Sequence, residues 1–501
     1  MTGVSWRIAG FAALVLLVSA CSGSGDDIGV RDAAETPAPT ATVCGKTVPG
    51  PASAPSGAVT VDPAVSGGLA AKTRSSPPGT TFWLMPGTHR LSDEKYDQVT
   101  PKDGDTYLGA PGAVVDGRGV NKYAFSGHAS NVTIRFLTVR RFAAPHDEGV
   151  VNHDSGDGWI LEHDTIEANS GAGIMAGARQ QVRGNCLRDN GQYGMNAFKD
   201  GNTITNLVVE GNEIAGNNTD DWETREPGCG CSGGVKFWAV NGADVRGNWV
   251  HGNHGPGLWA DTDDNDFLIE NNLIEENENA AIMYEISYNA TIRGNTIRRN
   301  NWAEGRKFAA RGDSFPVAAI YISESGGEPR VPARTDKIDI YGNTLQDNWS
   351  GITLWENADR FCNSPANTST GTCTLLVPDP NRCTQPGIAT QPLNSDCRWK
   401  TQRADIHDNR FSLDTTVVGC TTACGRMAVL ANYGTYPDWS PYKGEAVRDA
   451  ITFGQGNTWH GNTYIGPWTF MPHGTDRVLT MTEWQAAPYR QDAGSTVRNH
   501  S

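Results

Sequence analysis

Two carboxylates, Asp261 and Glu285, carry the sharpest chemical signal in the sequence. Each follows an Asn, Asn248 and Asn272 respectively, at the same distance, and those two Asn occupy one position of an internal repeat. The repeat therefore sets the carboxylates in register on neighbouring turns. If the turns are β-strands about 4.8 Å apart, the carboxyls fall roughly 5–9 Å from one another. That span covers both geometries by which paired carboxylates cleave a glycosidic bond, so it chooses neither retention nor inversion. Two such groups beside the Trp259 indole cannot ionise independently, which separates an acid from a base. Glu285 is assigned as general acid, and Asp261 as base or nucleophile. The competing reading is a pair of solvated or hydrogen-bonded carboxylates with no task. A second chemistry shares the place: Asp261, Asp263 and Asp264 offer the oxygen ligands that calcium takes. It is not an EF-hand loop, because Asp266 stands where Gly is wanted and Asn272 where Glu is wanted. No other cofactor and no other metal site is read. His251 and His254 lie on turn residues, and the cysteine-crowded segment has no His between Cys362 and Cys397.

Both carboxylates sit in short segments that align without gaps: GIMAG, GMNAF, GVKFW, GLWAD, AIMYE, AIYIS and GITLW. Side chains alternate across a strand, so the second residues (Ile174, Met195, Val235, Leu258, Ile282, Ile320, Ile352) form one inward stack. The third and fifth residues then point outward. They include Asn196, Lys236, Trp238, Trp259, Tyr321 and Trp355 around Asp261 and Glu285. Flat aromatic rings beside carboxylates suit a sugar chain, stacking the rings and holding hydroxyls. These six residues are read as substrate contacts in an open groove. The alternative is that inserted loops cover the aromatics.

The elements that would position this face are coils of a solenoid. Residues 243–300 hold three near-copies of one unit, with Asn248, Asn272 and Asn295 in one position and Asn253, Asn277 and Asn300 in another. A period of about 24 residues with apolar alternation inside each copy means stacked units sharing one core. Earlier copies supply Asp164, Asn185 and Asn212, then Asn169, Asn190 and Asn217. Later ones supply Asn343 and Asn348, with Asn409 and Asn457 in degenerate rungs. Asn tolerates left-handed corners, and its amide can bond the next coil, so the ladders are read as structural. Longer intervals mark inserted loops at 218–232, 301–317, 323–335 and 357–400, and insertions on a solenoid gather on the binding face.

The stretches TTFWLMPGTHRL and PKDGDTYLGAPGAVVDG, together with this repeat and a closing Glu-Trp-Gln before Gln-Asp-x-x-Ser, resemble secreted right-handed parallel β-helix carbohydrate-active proteins of the pectate-lyase-like superfamily. The resemblance implies an all-β, single-stranded right-handed parallel β-helix with N- and C-terminal caps. It implies no particular enzyme family, since this fold carries lyases, hydrolases, epimerases and adhesins. The domain reading is N-terminal strands and cap over 61–125, β-helix over 126–470 with a Cys-rich insertion near 357–400, and C-terminal cap over 471–501. The sequence Leu17-Val18-Ser19-Ala20-Cys21 resembles a bacterial lipobox. It implies a signal peptide over 1–20, lipidation at Cys21, a flexible tether over 21–60, and an extracytoplasmic, membrane-anchored protein. A cleaved secretory signal is the alternative.

Composition bounds the partners. A net charge of −15 leaves no basic excess for nucleic acid. Fifteen Trp in 501 residues suit a polysaccharide or oligosaccharide surface. The membrane is expected as a partner only through the lipid, and the chain is read as a monomer. Without Cys21, ten Cys remain, which in an oxidising compartment favours disulfides. Cys44 and Cys186 are left over to pair. Hydrolysis of a glycan is the expected activity. A lyase or epimerase acting on a uronate polymer is the first alternative, with Lys199, Lys236 and Arg179 as the available cations. A non-catalytic glycan-binding or adhesive protein is the second.

Overall fold

The computed structural model describes residues 43–46, 48–199, 204–365, 373–420, 422–431, 438–442 and 448–499. The expected signal peptide, Cys21 and the first half of the tether lie outside the described residues. Within them the chain winds into stacked coils, most of which contribute one short strand to each of three sheets. Two sheets have 13 strands and the third has 10, and every pairing between their strands is parallel. Parallel strands joined by such crossovers wind right-handed. This is the predicted right-handed parallel β-helix.

One coil shows the logic. Val240–Arg246 lies in the first sheet, Trp249–His251 in the second and Leu258–Asp261 in the third. Gly247 and Gly252 turn the two corners between them with φ of 62° and 59°. Asn248 and Asn253 follow and send their amides inward. Asn248 Nδ2 donates to Asn272 Oδ1 at 2.9 Å, and Asn272 Oδ1 also accepts the backbone N–H of Asn248. The left-handed residue is thus the one before each ladder Asn: Gly294 before Asn295, Arg299 before Asn300, Ala168 before Asn169. This corrects the expectation that the Asn itself adopts the strained conformation. Its task is hydrogen bonding in a dry interior, where each unpaired polar group would be costly.

The first ladder runs from Asp164 through Asn343 and Asn409 to Asn462, which donates to Asp492. Asn462 continues it where Asn457 was expected. Asn457 precedes the first-sheet strand Thr458–His460 and caps the strand edge at Ala404 instead. The predicted inward stack is present, with Ile174, Met195, Val235, Leu258, Ile282, Ile320 and Ile352 paired in sequence and buried.

The boundaries differ from the sequence reading. Coils begin at Val59–Val61, which pairs with Thr81–Leu84, so most of 61–125 is already helix. The cap at that end is an α-helix, Gly68–Ser75, burying Leu69, Ala70 and Thr73. At the other end Thr496–Arg498 still adds a strand to the second sheet. There Asp492 accepts from Trp484 Nε1, Tyr464 Oη and Ser495 Oγ, closing the core. Residues 43–46 and 48–58, placed in the tether by sequence, lie against the body. A Cys44–Cys186 disulfide and hydrogen bonds from the Val43 and Cys44 N–H groups to Glu213 hold them. The other eight Cys among the described residues also pair, as 229–231, 362–373, 383–397 and 420–424. Among the described residues no helix is long and apolar enough to cross a membrane.

Candidate active site on the third sheet

The inserted loops flank the third sheet. Residues 218–232 and 301–317 enter it from the second sheet, while 324–337 and 357–400 leave it for the first. The outer face of this sheet is therefore walled along both edges. Its register is the one the short segments predict: Asn196 pairs with Lys236, Lys236 with Trp259, Trp259 with Met283 and Met283 with Tyr321. In the other outward column Trp238 pairs with Asp261, Glu285 with Ser323, and Ser323 with Trp355. Ala260 pairs with Tyr284, so Asp261 and Glu285 come next on adjacent strands.

These side chains form one charge cluster. Lys236 Nζ is 2.9 Å from Asp261 Oδ2 and 4.1 Å from the centre of the Trp259 ring. Trp259 Nε1 donates to Glu285 Oε2 at 2.9 Å. Arg360, from the 357–400 insertion, reaches Glu285 at 3.8 Å and Glu324 at 3.5 Å. Burial pushes the Glu285 carboxyl up to about 7. Asp261 and Glu324 push the same way, and Arg360 and Lys236 oppose them. Burial also raises Glu324, against the pull of Arg360. A carboxyl that exchanges its proton near neutrality, beside a second carboxylate held by a lysine, is the arrangement general acid–base chemistry needs.

The face is less open than predicted. Trp259, Glu285 and Trp355 are each 8% exposed, and Asn196 is 4% exposed. They point away from the coil but lie beneath loops. Gly230 sits over the Trp259 ring and accepts from Lys236 Nζ. Phe315 lies edge-on to Tyr321, which stacks on Trp355 at 6.0 Å. Asn196 donates to the Asp147 carbonyl. Alternation settles which way a side chain points, not what the next loop lays over it. The accessible part is the N-terminal side, where half-buried Trp238 meets the edge of Phe198, itself 38% exposed.

The three Asp of the calcium reading have separate partners. Asp261 pairs with Lys236, Asp263 accepts from Trp399 Nε1 at 2.9 Å, and Asp264 accepts from the Val240 N–H at 2.8 Å. Burial raises Asp263 to about 7 and holds Asp264 well above the ordinary carboxylate range. Of the other cations considered, Lys199 and Arg179 both pair with Asp157. Sequence reasoning missed Arg360 and Glu324. Arg360 lies in an insertion with no periodicity. Glu324 directly follows a strand whose outward column had been assigned.

Comparison with known proteins agrees with the fold. The model described as a right handed beta helix region matches residues 148–359. No curated protein matches. Among solved structures, the chain is similar to a mannuronic acid specific polysaccharide family 6 lyase from human gut microbiota, at 11% identity and TM-score 0.45, over 88% of this chain and 91% of that one. It is similar to the A-module of an Azotobacter vinelandii mannuronan C-5 epimerase, at 12% identity and TM-score 0.43, over 86% and 94%. It is also similar to the catalytic unit of a Streptomyces thermodiastaticus GH87 alpha-1,3-glucanase, at 13% identity and TM-score 0.40, over 90% and 70%. With that match over 148–359 and parallel coils from Val59 to Arg498, the chain is a right-handed parallel β-helix protein.

Proposed function

We propose that the protein acts on a polysaccharide lying across the third sheet, and that it hydrolyses a glycosidic bond. Glu285 serves as the proton donor, and Asp261, ion-paired to Lys236, as base or nucleophile. Trp238 and Phe198 stack sugar rings on the open side. The observation that carries this reading is the Glu285 carboxyl, buried against Trp259 with its pKa raised to about 7, one coil from Asp261. The five disulfides fit an oxidising compartment, in keeping with an extracytoplasmic protein anchored through Cys21.

A second reading, β-elimination or epimerisation of a uronate polymer, draws on the two cations in the same cluster. Lys236 and Arg360 would offset a substrate carboxylate. Product chemistry separates the two. The parent is incubated with a panel of neutral and uronate polysaccharides, beside Asp261→Asn and Glu285→Gln. New saturated reducing ends that disappear with either substitution support hydrolysis. An ultraviolet-absorbing unsaturated end sinks hydrolysis in favour of the lyase. Binding without turnover by the parent leaves only the adhesive reading.

A further inference from the structure

Loop 218–232 roofs the third sheet beside Asp261, where Gly230 accepts from Lys236 Nζ, the ion-pair partner of Asp261. Its underside meets the chain at residues 146–147 and 192–193, and the contacts knit one compact place. The Trp222 ring packs on the His146 ring at 4.3 Å, and His146 Nδ1 lies 3.1 Å from Asp147 Oδ2. Gln192 Nε2 donates to Asp147 Oδ1 at 2.8 Å and to the Cys231 carbonyl at 3.0 Å. Glu223 Oε1 accepts from the Gly228 N–H at 2.8 Å, and its Oε2 lies 3.6 Å from Cys229 Sγ.

Three polar atoms in this place are buried and have no hydrogen-bond partner among the described residues: Tyr193 Oη, Trp222 Nε1 and His146 Nε2. Tyr193 is the most enclosed, at 1% exposure, and its ring lies outside the apolar core of the coils. Both N–H groups of the neighbouring Gln192 amide are committed to Asp147 and Cys231. Burial holds the Tyr193 phenol well above its ordinary pKa, and Asp147, Asp261 and Glu223 push the same way, so the hydroxyl stays protonated among carboxylates. An orphaned buried hydroxyl costs stability, so three such atoms in one place call for a partner that the fold itself does not supply. The set also selects that partner. Trp222 Nε1 only donates, the carboxylates of Asp147 and Glu223 only accept, and Tyr193 Oη does both. A sugar hydroxyl, donor and acceptor at once, suits all of them. A uronate carboxylate would meet Asp147, Glu223 and Asp261, with Lys236 already paired. An ammonium would leave the indole N–H without an acceptor.

We propose that Tyr193, Trp222 and His146, with Asp147 and Glu223, form a subsite for one hydroxyl-bearing neutral sugar ring next to Asp261, and that loop 218–232 closes over that ring. The inference rests on the reading above for the polysaccharide and adds its class, a neutral chain rather than a polyuronate. Gly228 and Gly233, with φ of 83° and 131°, give the far arm of the loop two places to change course as it lifts.

The test uses the full chain and separates the hydroxyl from the fold. Tyr193→Phe should keep or raise the thermal midpoint, because it removes a buried hydroxyl that has no partner. The same variant should bind soluble neutral glucans, xylans or mannans about 3–10-fold more weakly by isothermal titration, the loss of one hydrogen bond. Trp222→Phe should weaken the same polysaccharide alike, and the parent should bind neither polymannuronate nor polygalacturonate. A midpoint that drops by several degrees in Tyr193→Phe overturns the proposal, since the hydroxyl then serves the fold. Unchanged affinity in both variants overturns the subsite and leaves Asp261 and Glu285 standing as the acting pair. Binding of the polyuronates in place of the neutral chains overturns the substrate class. Weakened binding in the variants without turnover by the parent supports the subsite and sinks the acting pair. A parent that binds no polysaccharide overturns both together.

Discussion

Replacing Glu285 with Gln should make the protein's stability less sensitive to pH, by an amount that follows from the site. The folded carboxyl titrates at about 7 because it is buried against Trp259, whereas an unfolded glutamate titrates near ~4.3. Between those values the folded state binds more protons than the unfolded chain, so stability falls as pH rises through the window. Below about pH 4 the group costs nothing, and above about pH 7 the full cost is present. A gap of two to three units at about 1.4 kcal/mol each amounts to about 3 kcal/mol. Gln does not titrate. The unfolding free energy of Glu285→Gln minus that of the parent should therefore rise by about 2.5 kcal/mol between pH 5 and pH 8, the rest of the change falling below pH 5. Any fixed effect of the substitution cancels in that comparison, and so does the contribution of Asp263, which is raised by its own burial and held by Trp399. Arg360 keeps Glu324 as a partner in the variant. Urea unfolding of both proteins across this range supplies the numbers. A difference that does not change with pH refutes the claim that Glu285 is a buried carboxyl held protonated near neutrality.

Asn272→Ala should cost about 3–5 kcal/mol in the same assay, because it orphans the Asn248 N–H in the core and removes the bonds from Asn272 Nδ2 to Asn295 Oδ1 and the Val245 carbonyl. Cys186→Ser opens a bridge spanning 142 residues and should lower stability by about 2–5 kcal/mol. Limited proteolysis should then cut within residues 43–58, which stay protected in the parent. Trp399→Phe leaves the buried Asp263 carboxyl without its indole donor and should cost about 1–3 kcal/mol, read as a drop in thermal midpoint. Ala168→Gly should be neutral or stabilising by up to about 1 kcal/mol, since Ala168 sits at a φ of 52° that glycine adopts freely.

The fold was legible because the solenoid repeats its instructions. Period, inward stack and strand register all follow from counting between Asn residues, and the register pairing Lys236 with Trp259 and Trp238 with Asp261 is the predicted one. The reason for the Asn was half legible: hydrogen bonding was foreseen, but the left-handed corner belongs to the preceding residue. The ladder's last member was misplaced because Asn457 and Asn462 both precede a strand, and only the strand pairing tells the first sheet from the second. The cover over the face was not legible. Arg360, Phe315 and Gly230 come from insertions without periodicity, and their contacts are set by tertiary packing.

The most direct measurement is the pH dependence of kcat/KM for the parent on the first polysaccharide it turns over, beside Glu285→Gln. If Glu285 delivers the proton, the parent's rate falls along an alkaline limb with an apparent pKa of about 7, and the variant loses about 10²–10⁴-fold at the optimum together with that limb. A variant that retains the parent's rate and the same alkaline limb contradicts the account.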